Sequence, residues 1–158
     1  MNILVLCTGN SARSILLEML LDDLGQGRVT AYSAGSKPAG KVHPYALKLL
    51  EENDYDTSRL RSKSWDEFAG SDAPEMDIVI TVCGSAAEEA CPIWPGTPIR
   101  AHWGVEDPAA APEDDWPGAF GTAYRILKKR TESFLAQPIE TLDEGEIKAL
   151  LSRIGRQV

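Results

Sequence analysis

Four consecutive apolar residues, Ile3-Leu4-Val5-Leu6, run straight into Cys7-Thr8-Gly9-Asn10-Ser11-Ala12-Arg13-Ser14. An unbroken apolar run of this length suits a strand buried on both faces, as in a parallel sheet. The residues after Cys7 stay small or polar up to Arg13. A turn without bulk lets backbone N–H groups converge on an anion. A helix beginning near Ala12 aims its positive end at the same point, and Arg13 adds a planar fork that matches a tetrahedral oxyanion. A helix N-terminus and a nearby cation also lower a cysteine pKa, so Cys7 is predicted to be a thiolate below neutral pH. The competing reading is a buried cysteine before an ordinary strand-to-helix turn. The strand before it, the Gly9-Asn10-Ser11 turn and the helix after it favour the anion site.

Beyond the turn, Leu17, Leu20, Leu21 and Leu24 recur at helical spacing and form one apolar face, with Gly25 and Gly27 as the stop. Residues 29–33 read as a second strand and 34–40 as a loop. His43-Pro44 opens a second helix, with Pro44 in its first turn and Ala46, Leu47 and Leu50 on its apolar face. Residues 58–68 read as a loop with a short helix, 77–82 as a third strand ending at Cys83, and 98–101 as a short fourth strand before His102-Trp103-Gly104. The Pro/Ala/Asp-rich stretch 107–117 is a loop. Helices are predicted over 119–135 and 143–154. Strands alternating with helices imply an α/β fold, a parallel sheet with helices on both faces. The length fits one domain over residues 1–158. Such sheets bind ligands beyond the carboxyl ends of their strands. Cys7, Cys83 and the 102–108 segment all follow strands, so all three can meet there.

Composition narrows the function. The net charge of −8 and the lack of a basic run argue against nucleic-acid binding. An anionic substrate would meet a repelling overall field, so its attraction must be local, from N–H groups, a helix end and Arg13. No apolar stretch approaches a membrane span, and the N-terminus enters a strand directly, so neither a membrane segment nor a signal peptide is expected. Three cysteines leave one unpaired in a monomer, which suits a cytoplasmic protein with reactive thiols.

Two of those cysteines, Cys83 and Cys91, flank the small-residue segment Gly84-Ser85-Ala86-Ala87-Glu88-Glu89-Ala90. On a helix they would stand roughly 12 Å apart, while a disulfide needs α-carbons within about 7 Å. Joining them requires the segment to unwind or loop out. Two unrelated small residues are the alternative. A zinc site is weaker still, because His43 and His102 are distant in sequence and do not complete a tetrahedral set. Trp65, Trp94, Trp103 and Trp116 read as packing residues.

The stretch from Leu6 to Ser14 resembles the phosphate loop of low-molecular-weight protein tyrosine phosphatases and of the arsenate reductases sharing their fold. The resemblance implies a three-layer sandwich with a four-stranded parallel sheet in flavodoxin-like order 2-1-3-4. It implies that Thr8, Gly9, Asn10, Ser11, Ala12, Arg13 and Ser14 hold an arsenate or phosphate-like oxyanion and that Cys7 attacks it. Thiol-coupled arsenate reductases use two further cysteines around a mobile segment, roles that Cys83 and Cys91 match. His102-Trp103-Gly104-Val105-Glu106-Asp107-Pro108 looks like the family loop that carries a general acid before proline. This makes Asp107 the acid, with Glu106 as its competitor. Phosphatases often continue with tyrosines that frame an aryl phosphate. Ala109 and Ala110 stand here instead and favour a small inorganic oxyanion.

Asn10 and Ser14 fit supporting roles, although each could equally be a turn residue or a helix cap. Some reductases bind potassium beside the loop; Asn10, Glu18 and Ser33 match part of that pattern, but the 61–66 region lacks a clear aspartate match at the pattern's fourth position, so no metal is assigned. The resulting expectation is a monomeric arsenate reductase without a bound cofactor, using an external dithiol, thioredoxin, as reductant. The alternatives are a phosphatase using Cys7, Arg13 and Asp107 alone, and a non-catalytic oxyanion or redox sensor.

Overall fold

The computed structural model describes residues 1–83 and 98–156. Strands β1 (Asn2–Cys7), β2 (Thr30–Gly35), β3 (Ile78–Thr81) and β4 (Ile99–His102) form one sheet in the order β2-β1-β3-β4. All three pairings are parallel, so the predicted order 2-1-3-4 is the observed one. β2 extends to Gly35 because its ladder with β1 continues until Cys7 pairs with Gly35.

The unbroken apolar run in β1 is explained by its two buried faces. Ile3 and Val5, with Ile78 and Ile80 beside them, belong to the larger apolar cluster, which also takes in the helices. Leu4, Leu6 and Val79 point the other way, onto Phe68 and Met76. That second face is covered by a 3-10 helix, Trp65–Phe68. Among the described residues, both faces of the sheet therefore carry helical cover.

Helix α1 (Arg13–Gly25) follows the loop after β1. The leucine spacing predicts a single apolar face, but Ile15, Leu16 and Met19 are as buried as Leu17, Leu20 and Leu21, and Leu24 is only partly so. The reason is position: α1 lies against β1 and β2 and also touches α2 (Pro44–Glu52) and α3 (Trp116–Leu135). Only a helix apolar nearly all round can fill such a place. Helix α2 has Pro44 in its first turn and His43 as its cap, whose Nδ1 accepts the Tyr45 N–H at 3.1 Å. Its buried residues are Ala46, Leu49 and Leu50, with Leu47 turned partly outward.

Helix α3 starts at Trp116, three residues before the predicted start. Pro117 sits in its first turn, where no intrahelical N–H bond is lost. The Trp116 indole N–H donates to Ala111 O at 2.9 Å and ties down the preceding loop. That loop holds two 3-10 turns, Pro108–Ala110 and Glu113–Asp115. Helix α4 (Glu144–Gly155) opens with a capping box between Asp143 and Glu146. Trp103, just past β4, is fully buried, and its indole N–H donates to Leu151 O at 3.0 Å. This bond fastens the start of the 104–108 loop to α4.

At the end of β2, Gly35 leaves room for the turn that follows Cys7. A Cβ there would lie 2.4 Å from Thr8 O and 2.9 Å from Cys7 O, both backbone atoms. Gly35→Ala should destabilise the protein by about 1–3 kcal/mol, the usual range for forced overpacking. Urea unfolding reads this directly, and an unchanged midpoint would show that the turn can retreat.

Candidate active site

The 8–13 loop has its carbonyls pulled outward. Thr8 O accepts from Lys37 N at 3.0 Å, Gly9 O from Ala39 N at 2.9 Å, and Ser11 O from His43 N at 2.9 Å. Ser62 Oγ also donates to Gly9 O, at 3.2 Å. With the carbonyls tied to the 37–43 segment, the amide N–H groups are left for the inside of the loop. The Gly9 N–H already acts on the Cys7 sulfur. Asn10 takes a left-handed backbone conformation, φ 46°, which asparagine tolerates better than most residues.

The Asn10 side chain is the strut of the loop. Its Nδ2 donates to Ser14 Oγ at 2.8 Å and to Ser33 Oγ at 2.9 Å, and its Oδ1 accepts the Lys63 N–H at 2.9 Å. Ser33 in turn donates to Glu18 Oε1, and Lys63 Nζ lies 3.8 Å from the same oxygen. Asn10, Ser14, Ser33, Glu18 and Lys63 are all buried. Burial pushes the Glu18 carboxyl up, opposed first by Lys63 and then by the Ser33 hydrogen bond. Burial likewise pushes the Lys63 ammonium down, and Glu18 opposes it. Each charge offsets part of the other's desolvation.

Cys7 and Cys83 are both buried, at the ends of the neighbouring strands β1 and β3. Cys83 is the strongest electrostatic influence on the Cys7 thiol, and Thr8 Oγ1 lies 3.6 Å from the Cys83 sulfur. This changes the expectation for Cys7. Its thiol is pushed above the usual range, first by the bond with Cys83 and then by burial, while Arg13 and the Gly9 N–H pull it down. The sequence reading counted the lowering influences and missed the neighbouring sulfur. Two neighbouring thiols titrate as a pair: the first proton leaves with the other thiol able to donate to the new thiolate, and the proton that remains is held more tightly.

Arg13, at the start of α1, bonds Val105 O through Nη1 at 3.1 Å and lies 3.6 Å from Asp107 Oδ2 through Nη2. Its Nε is buried with no acceptor among the described residues, and a buried donor calls for a partner. Asp107 caps the 3-10 turn Pro108–Ala110, its Oδ1 accepting the Ala109 N–H at 3.0 Å. That bond leaves Oδ2 to face Arg13. Glu106 is exposed. His43 packs edge-on against Trp116, with ring centroids 4.6 Å apart. Burial lowers its pKa and the Asp107 charge raises it.

The structure thus brings Cys7, Thr8 to Ser14, Cys83 and Asp107 to one edge of the sheet. Cys91 and Trp94 lie outside the described residues. Lys63 escaped the sequence reading. Nothing in the polar run Arg61-Ser62-Lys63-Ser64 marks one lysine as buried, and only the three-dimensional placement of Glu18 reveals it.

Residues 2–146 match the low molecular weight phosphotyrosine protein phosphatase family, and the chain belongs to that family. Its relatives narrow the class. It is 36% identical over 132 residues to the arsenate reductase of Halalkalibacterium halodurans, covering 82% of this chain and 91% of that one. A solved arsenate reductase in the phosphate binding state superposes with a TM-score of 0.70 at 29% identity, covering 85% of this chain and 96% of the other. The thioredoxin-dependent arsenate reductase of Corynebacterium glutamicum gives a TM-score of 0.60 at 25% identity, over 86% of this chain and 63% of that one. Among the described residues, no helix is long and apolar enough to cross a membrane.

The two thiols yield a prediction. Cys83→Ala leaves Cys7 without its neighbouring thiol, so the pH profile of Cys7 alkylation should shift and reduce to a single ionisation. Iodoacetamide labelling of the Cys7 peptide, read by mass spectrometry, measures this. A profile that stays in place would show that Cys83 does not act on Cys7.

Proposed function

We propose that this protein is an arsenate reductase in which Cys7 is the nucleophile and Cys83 the first resolving thiol. The placement of a second buried thiol, Cys83, just past the strand paired with that of Cys7 carries the reading. A phosphatase needs one thiol at its phosphate loop and has no use for a second beside it. A reductase needs that second sulfur within bonding reach.

The chemistry follows from the groups present. Arsenate enters the loop, where amide N–H groups, the positive end of α1 and Arg13 oppose its charge. The unpartnered Arg13 Nε gains an acceptor. The Cys7 thiolate, formed when the shared proton sits on Cys83 or has left the pair, attacks arsenic. An arsenate oxygen departs as water, and Asp107 supplies its proton. Cys83 then attacks the Cys7 sulfur as a thiolate. The S–As bond breaks, its electron pair goes to arsenic, and As(V) becomes As(III), which leaves as arsenite. A Cys7–Cys83 disulfide remains. Cys91 attacks Cys83, releases Cys7 as a thiolate and leaves a Cys83–Cys91 disulfide. Two electrons from an external dithiol restore the enzyme. Thioredoxin suits that last step, because a dithiol donor resolves its own mixed disulfide, and the thioredoxin-dependent relative supports it.

Two outcomes test this reading. With thioredoxin, its reductase and NADPH as the recycling system, Cys91→Ser should release about one arsenite per enzyme and stop as the Cys7–Cys83 disulfide. Cys83→Ser should release none, and hydrolysis of an artificial aryl phosphate should survive both changes. Sustained arsenate turnover in either variant would remove the relay. Separately, Asp107→Asn should slow the chemical step by about 100-fold or more, the scale of a positioned acid, and Glu106→Gln should have little effect. Single-turnover rates decide, and the opposite ranking would move the acid to Glu106.

A further inference from the structure

Beside the loop, but outside the reacting groups, lies a buried ion pair that the mechanism above does not use. Glu18 sits on the second turn of α1, and Lys63 comes from the segment after α2. They meet at 3.8 Å with side chains only 8% exposed on each. Lys63 Nζ has a second anchor, Arg61 O, at 3.0 Å. A buried pair like this seldom contributes much net stability, so what it orients is the more informative question.

Bond directions answer that. An ionised carboxylate only accepts hydrogen bonds. The Ser33 hydroxyl donates to Glu18 Oε1, the oxygen that the Lys63 ammonium also faces. Ser33 Oγ is then an acceptor for Asn10 Nδ2. This fixes the Asn10 amide with Nδ2 toward the two serine hydroxyls and Oδ1 toward the Lys63 N–H. Lys63 thus acts at both ends of the chain, with its backbone on Asn10 and its ammonium on Glu18. Its carbonyl also accepts the Gly35 N–H at 2.9 Å, beneath the same turn.

The potassium site suggested by the family resemblance does not fit these residues. Asn10, Ser33 and Glu18 do converge, but the charge facing Glu18 is an ammonium already bonded to Arg61 O. A further monovalent cation there would meet Lys63 across the same carboxylate.

We infer that Lys63 is a positioning residue: its ammonium is a built-in cation that holds the Glu18–Ser33–Asn10 chain, and through it the oxyanion-binding shape of the phosphate loop, without an added metal ion. The inference rests on the reading of the loop as an oxyanion site. It does not depend on arsenate being reduced.

The test uses inorganic phosphate as the probe and its protection of Cys7 from iodoacetamide as the readout, followed on the Cys7 peptide by mass spectrometry. Buffers of equal ionic strength contain either tetramethylammonium or potassium. The wild-type protein should bind phosphate equally in both. Lys63→Met keeps the aliphatic stem and removes the charge. In tetramethylammonium its affinity should fall by about tenfold, the scale of losing one charge-assisted hydrogen bond, and potassium should restore most of it. In a Glu18→Gln, Lys63→Met double variant no buried charge is left unpaired; phosphate should bind more weakly than in wild type, with no response to potassium. That variant also serves if the single one does not fold.

The inference would be overturned by wild-type binding that tightens with potassium, by a single variant that binds as wild type does, or by a loss that potassium cannot repair. A double variant that binds as wild type does would overturn it as well. If phosphate fails to protect wild-type Cys7 at all, the oxyanion reading falls first and this inference falls with it.

Discussion

The carbonyls of Thr8, Gly9 and Ser11 are all claimed by N–H groups between Lys37 and His43, and the rest of the site depends on that. A loop of this length has few conformations that send its carbonyls one way and its amides the other. This one also needs Asn10 in left-handed backbone and Gly35 close beneath the turn. The bonds that shape the anion cradle also join the end of β1 to the chain after β2. Binding geometry and fold share the same hydrogen bonds, so the cradle is organised before any substrate arrives. Preorganised donors of this kind need not reorient as charge develops.

The two sulfurs set a second constraint, in tension with the first. The cradle favours negative charge at Cys7, while Cys83 and burial favour keeping the proton on the pair. A phosphatase would gain by removing Cys83. The proposed reductase keeps it, because in that reading the first disulfide forms between these two atoms before arsenite leaves. The parallel register explains how this arrangement arises: Leu6 lies beside Thr81 across the β1–β3 pairing, so both chains leave the sheet at the same level. Coupled titration is the physical consequence of having a second thiol already in place.

The architecture was largely legible in the sequence because its signals are local. Apolar runs marked the buried strands, and Pro44 marked the start of a helix. The misreadings came where tertiary context overrides local pattern. Leucine spacing gave α1 one apolar face, but Ile15, Leu16 and Met19 are buried as well because the helix is enclosed by the sheet and two other helices. Pro117 made the 107–117 stretch look like a loop to its end, yet a proline in the first turn let α3 start at Trp116. Lys63 was invisible for the same reason, since a buried lysine is defined by its partner and the partner lies 45 positions away. Asp107 and Arg13 were each named from sequence, but their mutual approach and the Val105 carbonyl that steers Arg13 belong to the fold.

Charge at this site is handled at short range. The chain carries −8 overall, and that field is screened over about 10 Å at ordinary salt, so it hinders the approach of an oxyanion more than it weakens the bound state. Within the loop the opposing groups act at hydrogen-bond distance: amide N–H groups, the end of α1 and the Arg13 fork. Arg13 is steered by Val105 O and by Asp107, both on the loop that Trp103 fastens to α4. The Arg13 side chain, at the start of α1, is therefore held against an anchored segment that carries Asp107, and Ala109 and Ala110 follow on that segment. An arrangement of this kind gains its specificity from donor placement around a small tetrahedral ion, and leaves the choice between hydrolysis and reduction to whether a second sulfur waits beside the first.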